Sequence, residues 1–242
     1  MTFDILLAVA AVVAGAVASV VGFGIGSLLT PLLALRVGTQ LAVAAISIPH
    51  VFATALRFWR LRAHIDRRVL ISFGVTSAAG GLTGALLHSF ANNRALSIVF
   101  GLILIFVGMS ELTGLARRMQ FHGIVAWFAG AISGLFGGLV GNQGGIRSAA
   151  LLGFDVDRQA FVATATAIGL VVDAARMPVY FATQAREITR IWLLILIATV
   201  GTLVGTLLGV RKLRRIPERV FRNIVAVVLL AVGAYMTFKG GA

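Results

Sequence analysis

The stretch GFGIGSLLTP, residues 22–31, interrupts a long apolar segment with three alternating glycines and a proline. Glycine costs a helix about 1 kcal/mol relative to alanine and proline about 3 kcal/mol, so the helix is predicted to break here. Pro31 is expected in the first turn of the short helix that follows the glycines, where its missing N–H costs little. A second stretch, GNQGGIRSAA at residues 141–150, repeats this pattern and adds an arginine. Inside a membrane, non-helical backbone persists only where protein buries it or where it lines a cavity. The two breaks are therefore the places where a binding site is expected.

The composition predicts an all-α polytopic membrane protein. The chain has 242 residues, of which 59% are hydrophobic and 12% charged, about half the charged fraction of a soluble domain. Segments near the length of roughly 20 residues that crosses a bilayer recur throughout. They span residues 3–36, 40–59, 69–90, 95–113, 121–153, 158–182, 190–210 and 219–238, and the first and fifth contain the glycine breaks.

Three classes of protein or site are excluded or unexpected. Cysteine is absent, which excludes disulfides and thiolate metal sites. The net charge of +13 comes largely from arginines in short loops between apolar segments, where such residues set membrane orientation rather than bind nucleic acid. The N-terminus lacks a basic region before its apolar run and carries Asp4, so it is not expected to be a cleaved signal peptide.

The chain matches itself when it is shifted by 119 residues without a gap. The shift aligns Gly15 with Gly134, Gly22 with Gly141, Gly26 with Gly145, Gln40 with Gln159 and Arg57 with Arg176. We therefore predict two repeats of four elements each, residues 1–119 and 120–242, with a glycine-broken helix first in each.

Basic residues indicate that the second repeat is inverted. If each broken helix is re-entrant and leaves by the side it entered, the loops at 60–68, 114–120 and 211–222 share one face and hold twelve Lys or Arg residues. The other face then holds only Arg36, Arg94, Arg186, Arg190 and Lys239. This asymmetry satisfies the preference of Lys and Arg for the cytoplasmic side better than eight simple crossings do.

The second break is expected to contact an anion. A short helix is predicted to begin near Ile146, and a helix N-terminus attracts negative charge. Arg147 lies in that first turn and has the planar donor geometry that suits an oxyanion. The alternatives are a structural ion pair with Asp155 or Asp157, or a contact with lipid headgroups. The candidate substrate-binding residues of both breaks are Gly24, Gly26, Ser27, Asn142, Gln143, Gly144, Gly145, Arg147 and Ser148.

Several ionisable residues lie inside the predicted membrane segments, where such groups are costly and usually functional. Asp173 and Arg176 are three residues apart, so they share one helix face and can pair. His50 is a candidate proton carrier, although a packing role is equally open. Arg57 is either part of the same machinery or an interfacial anchor beside Arg60 and Arg62. The proton-carrying or gating candidates are thus His50, Asp173, Arg176 and Arg57.

The two glycine motifs resemble those of the sulfite exporter TauE/SafE family. Gly24, Gly26 and Pro31 are similar to the G-x-G-x4-P signature of that family. In the second half, the family's glycine triplet and downstream proline are replaced by a variant that includes Gln143, Gly144, Arg147 and Ser148, with Ala150 where the first half has Pro31.

The resemblance implies a bacterial inner-membrane transporter that exports sulfite, organosulfonates or another small sulfur-containing anion. We expect a secondary transporter that uses alternating access around a midplane site, with no cofactor, no metal and no enzymatic activity. Proton coupling and an oligomeric state are left open, and lipid is the expected surrounding. The alternatives are a passive anion channel and a non-transporting membrane partner subunit.

Overall fold

The computed structural model describes residues 2–115, 123–141, 144, 147, 151, 154, 157–212 and 218–241, and the elements in these ranges are helical. A 3-10 turn at Arg62–His64, a helical turn at Arg67–Val69 and a π-helical segment at Leu70–Gly74 connect the third helix to the fourth. The main helices are α1 Thr2–Val21, α2 Ile25–Val37, α3 Thr39–Leu61, α4 Val75–Phe90, α5 Asn93–Thr113, α6 Ile124–Val140, α7 Arg158–Arg190, α8 Trp192–Lys212 and α9 Glu218–Gly241.

The expected all-α, multi-pass class is confirmed for these ranges. Within them, six segments are long and apolar enough to cross a bilayer: Thr2–Val20, Thr39–His64, Arg67–Phe90, Asn93–Ser110, Gln159–Arg190 and Trp192–Gly209. Three apolar helices are shorter, namely α2, α6 and the apolar part of α9. A helix of 13 residues such as α2 extends about 20 Å, which is less than the roughly 30 Å of a bilayer core.

Helix α1 has one buried face and one exposed apolar face. Leu7, Ala11, Ala14 and Ala18 recur at helical spacing and are buried, and this narrow face of small residues lets another helix approach closely. Side chains on the rest of the helix are exposed and apolar, as a lipid-facing surface requires: Ile5, Leu6, Val9 and Val13.

Glycine-mediated contacts organise the helices into pairs. Helix α1 packs against α8, α4 against α6, and α5 against α9. A Cβ atom at Gly15 would overlap the backbone of Thr202 in α8, and one at Gly134 would overlap the backbone of Ser77 in α4. Because lipid chains are as apolar as the helices, such close backbone packing is a main source of association energy in a membrane.

Helices α3 and α7 pack against one another, and together they carry most of the buried ionisable side chains. Asp157 caps the start of α7 by accepting hydrogen bonds from the N–H groups of Gln159 at 2.7 Å and Ala160 at 2.9 Å. These N–H groups, that of Ala160 foremost, hold the pKa of the exposed Asp157 carboxyl below its ordinary value.

Two expectations about element boundaries are wrong. The segment 183–190, expected to be a loop, continues α7 with one non-helical residue, Gln184, at φ −135° and ψ 20°. Most of its residues, including Gln, Ala, Arg and Glu, are good helix formers, so the polar composition did not require a loop. Pro31, expected in the first turn of its helix, lies in the interior of α2, because the helix already begins at Ile25.

Candidate functional site

The first glycine break is a tight turn between two helices. Helix α1 ends at Val21, and the chain passes through Gly22 at φ 86° and Gly24 at φ 128° before α2 begins. Gly24 occupies the N-cap position of α2 and provides no side-chain hydrogen bond to the first N–H groups. This uncapped N-terminus is buried within the protein, and unpaired helix N–H groups carry a partial positive charge.

The two breaks meet in the interior. A Cβ at Gly26 would overlap the carbonyl oxygen of Gly141, and a Cβ at Gly144 would overlap the side chain of Phe23. Both positions therefore require glycine because each is in direct contact with the opposite break. Of the other predicted binding residues, Ser27 is buried in α2, whereas Asn142, Gln143, Gly145 and Ser148 lie outside the described residues, as does Ile146.

Arg147 reaches from the second break to the first. Its side chain is 2% exposed, and its Nη2 donates a hydrogen bond to the carbonyl oxygen of Gly22 at 3.4 Å. Its Nε and Nη1 are buried and have no hydrogen-bond partner among the described residues. Asp157, one of the alternatives for an ion pair, instead caps α7, and Asp155 lies outside the described residues.

Arg57 has the same character as Arg147. It is 4% exposed, so it is not an interfacial anchor like Arg62, whose guanidinium stacks 3.8 Å from the ring centroid of exposed Trp59. Arg57 Nη2 donates to Thr54 Oγ1 at 3.1 Å. Nε and Nη1 of Arg57 are buried and also lack a partner within the described part of the chain.

Asp173 is the centre of an ionic network in which both carboxylate oxygens have a partner. It is completely buried; Arg176 Nε donates to its Oδ1 at 2.9 Å, and His50 Nδ1 lies 2.6 Å from its Oδ2. Arg176 Nη1 also donates to the carbonyl oxygen of Gly137 at 2.5 Å. The expected pairing of Asp173 with Arg176 is confirmed, and the network joins α3, α7 and the end of α6.

Hydroxyl groups near the breaks divide into paired and unpaired ones. Thr166 donates back to its own helix at Val162, and Thr164 Oγ1 accepts the N–H of Asp66 at 2.9 Å. Thr30 Oγ1 is buried and has no partner among the described residues. It lies 3.8 Å from the position that a Cβ on Gly141 would occupy, so it faces the second break.

His88, Tyr180 and Gln184 form a second polar cluster, which was not expected from the sequence. His88 Nδ1 lies 2.8 Å from the carbonyl oxygen of Leu139, its Nε2 lies 3.2 Å from Gln184 Nε2, and its ring packs 5.1 Å from that of Tyr180. Tyr180 donates to the carbonyl oxygen of Gly138. A lone histidine in the apolar α4 was the available signal, and the cluster holds the last turn of α6 in place.

A cavity of about 370 Å³ lies among α2, α3, α5 and α9. Its lining includes Pro31, Thr39, Ser97 and Tyr235, but neither of the buried arginines with unpartnered nitrogens. Pro31 faces this cavity while the adjacent Thr30 faces the second break. Helix α2 therefore separates the cavity from the region where the two breaks meet.

Comparison with curated proteins and with solved structures gives no significant match. A family model described as sulfite exporter TauE/SafE matches residues 7–236, which is nearly the whole chain and includes both glycine breaks. The family consists of membrane transporters rather than enzymes. The chain therefore belongs to the sulfite exporter TauE/SafE family of multi-pass membrane transporters.

Proposed function

We propose that the chain is a secondary transporter that exports a small sulfur oxyanion, such as sulfite or an organosulfonate, across a bacterial inner membrane. The substrate would bind where the two glycine breaks meet, between Arg57, Arg147, Thr30 and the uncapped start of α2. The observation that carries this proposal is the set of four buried guanidinium nitrogens without partners, two on each arginine. Buried donors are almost always satisfied, so these N–H groups require an acceptor that the described residues do not provide.

An oxyanion suits these donors for two reasons. The unpaired nitrogens belong to guanidinium groups, whose planar arrangement of N–H groups matches the oxygens of a sulfonate, sulfite or carboxylate. The charges of Arg57 and Arg147 also repel one another, and an anion between them would convert that repulsion into attraction. Asn142, Gln143, Gly145 and Ser148 remain proposed additional contacts, together with the backbone of Gly24, Gly26 and Gly144 and the side chain of Ser27.

The two inverted repeats, 1–119 and 120–242, form part of the proposal. Three contacts of α1 with α8 have counterparts between α6 and α4. In every case the residue in α6 has a number 119 higher than its counterpart in α1, and the residue in α8 has a number 125 higher than its counterpart in α4. A pseudo-two-fold axis explains why the offsets are constant. The corresponding contacts are Gly15–Thr202 with Gly134–Ser77, Val12–Gly205 with Ala131–Gly80, and Ala16–Gly209 with Leu135–Gly84.

Contacts at the ends of the helices support re-entrant first elements. Arg36, near the end of α2, lies with its Nη1 3.4 Å from Oδ1 of Asp4 at the start of α1, and its guanidinium lies 5.0 Å from the ring centroid of Phe3. The start of α1 and the end of α2 therefore lie next to each other. This is the geometry expected of a hairpin that enters and leaves by the same side.

Alternating access is the proposed mechanism. Helix α2 stands between the cavity and the two breaks, and glycines with positive φ flank it, Gly24 at 128° and Gly38 at 82°. A shift of α2 about these residues would open the binding region toward the cavity. Broken helices at the midplane of inverted-repeat transporters provide such movable walls.

The Asp173 network is the proposed coupling or gating element. His50 is hydrogen-bonded to Asp173 and is 12% exposed at its side chain, whereas Asp173 is fully enclosed. A proton on His50 would therefore change the charge balance close to Arg176 and the substrate region. The alternative driving force is the inside-negative membrane potential, which favours export of an anion without a proton.

Transport by purified protein in liposomes tests the proposal. We expect uptake of radiolabelled sulfite or sulfoacetate that saturates and accumulates against a gradient when a pH difference or a potential is imposed. His50→Gln should retain exchange of anion for anion but lose accumulation driven by a pH difference. A flux that neither saturates nor accumulates would favour a passive channel, and the absence of both flux and binding would favour a partner subunit.

A further inference from the structure

Helices α3 and α7 carry the same side-chain arrangement with one difference in charge. In α7, Arg176 donates to Asp173 at 2.9 Å, and in α3, Arg57 donates to Thr54 at 3.1 Å. The donor follows the acceptor by three residues in both helices, and Thr54 and Asp173 are 119 residues apart. The equivalent acceptor is thus a carboxylate in one helix and a neutral hydroxyl in the other.

This difference leaves the buried region with excess positive charge. Among the described residues, the buried side chains that carry a full charge are Arg57, Arg147, Arg176 and Asp173. With His50 neutral, three cations and one anion give a net charge of +2. An uncompensated buried charge is strongly unfavourable, so the missing negative charge is expected to come from a ligand.

The two guanidinium groups with unpartnered nitrogens lie where α3 packs against α7. A Cβ at Gly169 would lie 3.0 Å from Arg147 Nη1 and 3.7 Å from Thr54 Cγ2. Gly169 is equivalent to His50 under the shift of 119 residues, and its lack of a side chain leaves room for the Arg147 guanidinium. Thr54 therefore lies near both arginines: it is hydrogen-bonded to Arg57 and lies beside the same glycine as Arg147 Nη1.

We infer that this site selects doubly charged oxyanions over singly charged ones, and that Thr54 is the residue that sets this preference. The inference rests on the proposed function, because it assumes that an anion binds between the two arginines. A dianion neutralises the net charge of the site, whereas a monoanion leaves one buried positive charge uncompensated. An aspartate at position 54 would pair with Arg57 as Asp173 pairs with Arg176, and the site would then need only one negative charge.

Binding of shape-matched anions to the purified full-length chain tests the inference. Sulfate is compared with methanesulfonate, and sulfoacetate with isethionate, by calorimetric titration at neutral pH, where the first member of each pair is a dianion. For the wild-type chain we expect the dianion in at least one pair to bind about tenfold more tightly or better, which corresponds to about 1.4 kcal/mol. Monoanions that bind as tightly as their dianion partners would overturn the inference without affecting the proposed function.

Two variants then assign the preference to Thr54. Thr54→Asp should lose the preference for dianions, whereas Thr54→Asn, which has the same shape without the charge, should retain it. Equal behaviour of the two variants would overturn the role of Thr54, and the wild-type comparison remains decisive if Thr54→Asp does not fold. Failure of all four anions to bind the wild-type chain would overturn this inference, and failure of sulfite to bind as well would overturn the proposed function.

Discussion

Arg147 donates a hydrogen bond from Nη2 to the carbonyl oxygen of Gly22 at 3.4 Å, across 125 residues of sequence. The bond links the second glycine break to the first, and it uses only one of the three guanidinium nitrogens. The other two are buried without a partner in the described part of the chain. The hydrogen bond of Nη2 therefore holds the guanidinium in position, while Nε and Nη1 remain available for a ligand.

Replacing Arg147 by methionine should stabilise the protein in the absence of any anion. The substitution removes a buried cation whose Nε and Nη1 are unsatisfied. Replacing even a buried ion pair by apolar side chains is often stabilising by about 1–4 kcal/mol, and Arg147 has no carboxylate partner among the described residues to lose. Unfolding in detergent measures the change. Arg62→Met, at an exposed position, serves as the control and should change stability little; a loss of several kcal/mol in Arg147→Met would mean that its role is structural.

Replacing Arg176 by methionine should have the opposite effect. Asp173 is completely buried, and removal of its main cationic partner leaves an uncompensated carboxylate, which typically costs about 3–5 kcal/mol. The same unfolding measurement applies. If Arg176→Met and Arg147→Met changed stability by the same amount and in the same direction, the distinction between the two arginines would be wrong. That distinction is that Arg176 is paired with a carboxylate, whereas Arg147 has nitrogens without a partner.

Alanine at Gly26 should destabilise the contact between the two breaks. The new methyl group would overlap the backbone carbonyl of Gly141, which cannot move aside as a side chain can, so a loss of about 1–3 kcal/mol or more is expected. Gly74→Ala is the matched control, because its methyl group would lie 3.1 Å from the flexible end of Leu70. Thermal unfolding of both variants gives the comparison, and equal stability would contradict the close approach of the breaks.

Single-cysteine labelling tests the inverted topology without interference, because the natural sequence contains no cysteine. Cysteines at positions 62 and 214 should react with an impermeant reagent from one side of the membrane, and cysteines at positions 36 and 94 from the other. The hydrogen bonds of Thr39 with Ser97 and of Gln40 with Asn93 support the second grouping, because they join the starts of α3 and α5. Labelling of positions 62 and 214 from opposite sides would exclude the proposed arrangement.

The sequence was most informative where local chemistry decides the structure. Apolar length predicted the membrane class, the glycines located the first break between α1 and α2, and spacing predicted the Asp173–Arg176 pair. These features depend on residues close together in the chain.

Features that depend on tertiary contacts could not be predicted from neighbouring residues in the sequence. The burial of Arg57 results from the packing of α3 against α7, and its neighbours Arg60 and Arg62 suggested an exposed basic cluster instead. The contact of His50 with Asp173 joins residues 123 positions apart. The interior position of Pro31 depends on where α2 begins, and that start is set by the backbone of Gly24 rather than by a capping side chain.

The anion site at Arg147 is tested by measuring the thermal stability of the wild-type chain and of Arg147→Met. Each protein is measured with sulfite, sulfate, thiosulfate, sulfoacetate, taurine and acetate. A ligand at about 100 times its dissociation constant adds about 2.7 kcal/mol to the stability of the form that binds it. We predict that at least one sulfur oxyanion stabilises the wild-type chain and that Arg147→Met, although folded, gains nothing from the same anion. Equal stabilisation of the two proteins, or none in a folded wild-type sample, would contradict an anion site at Arg147.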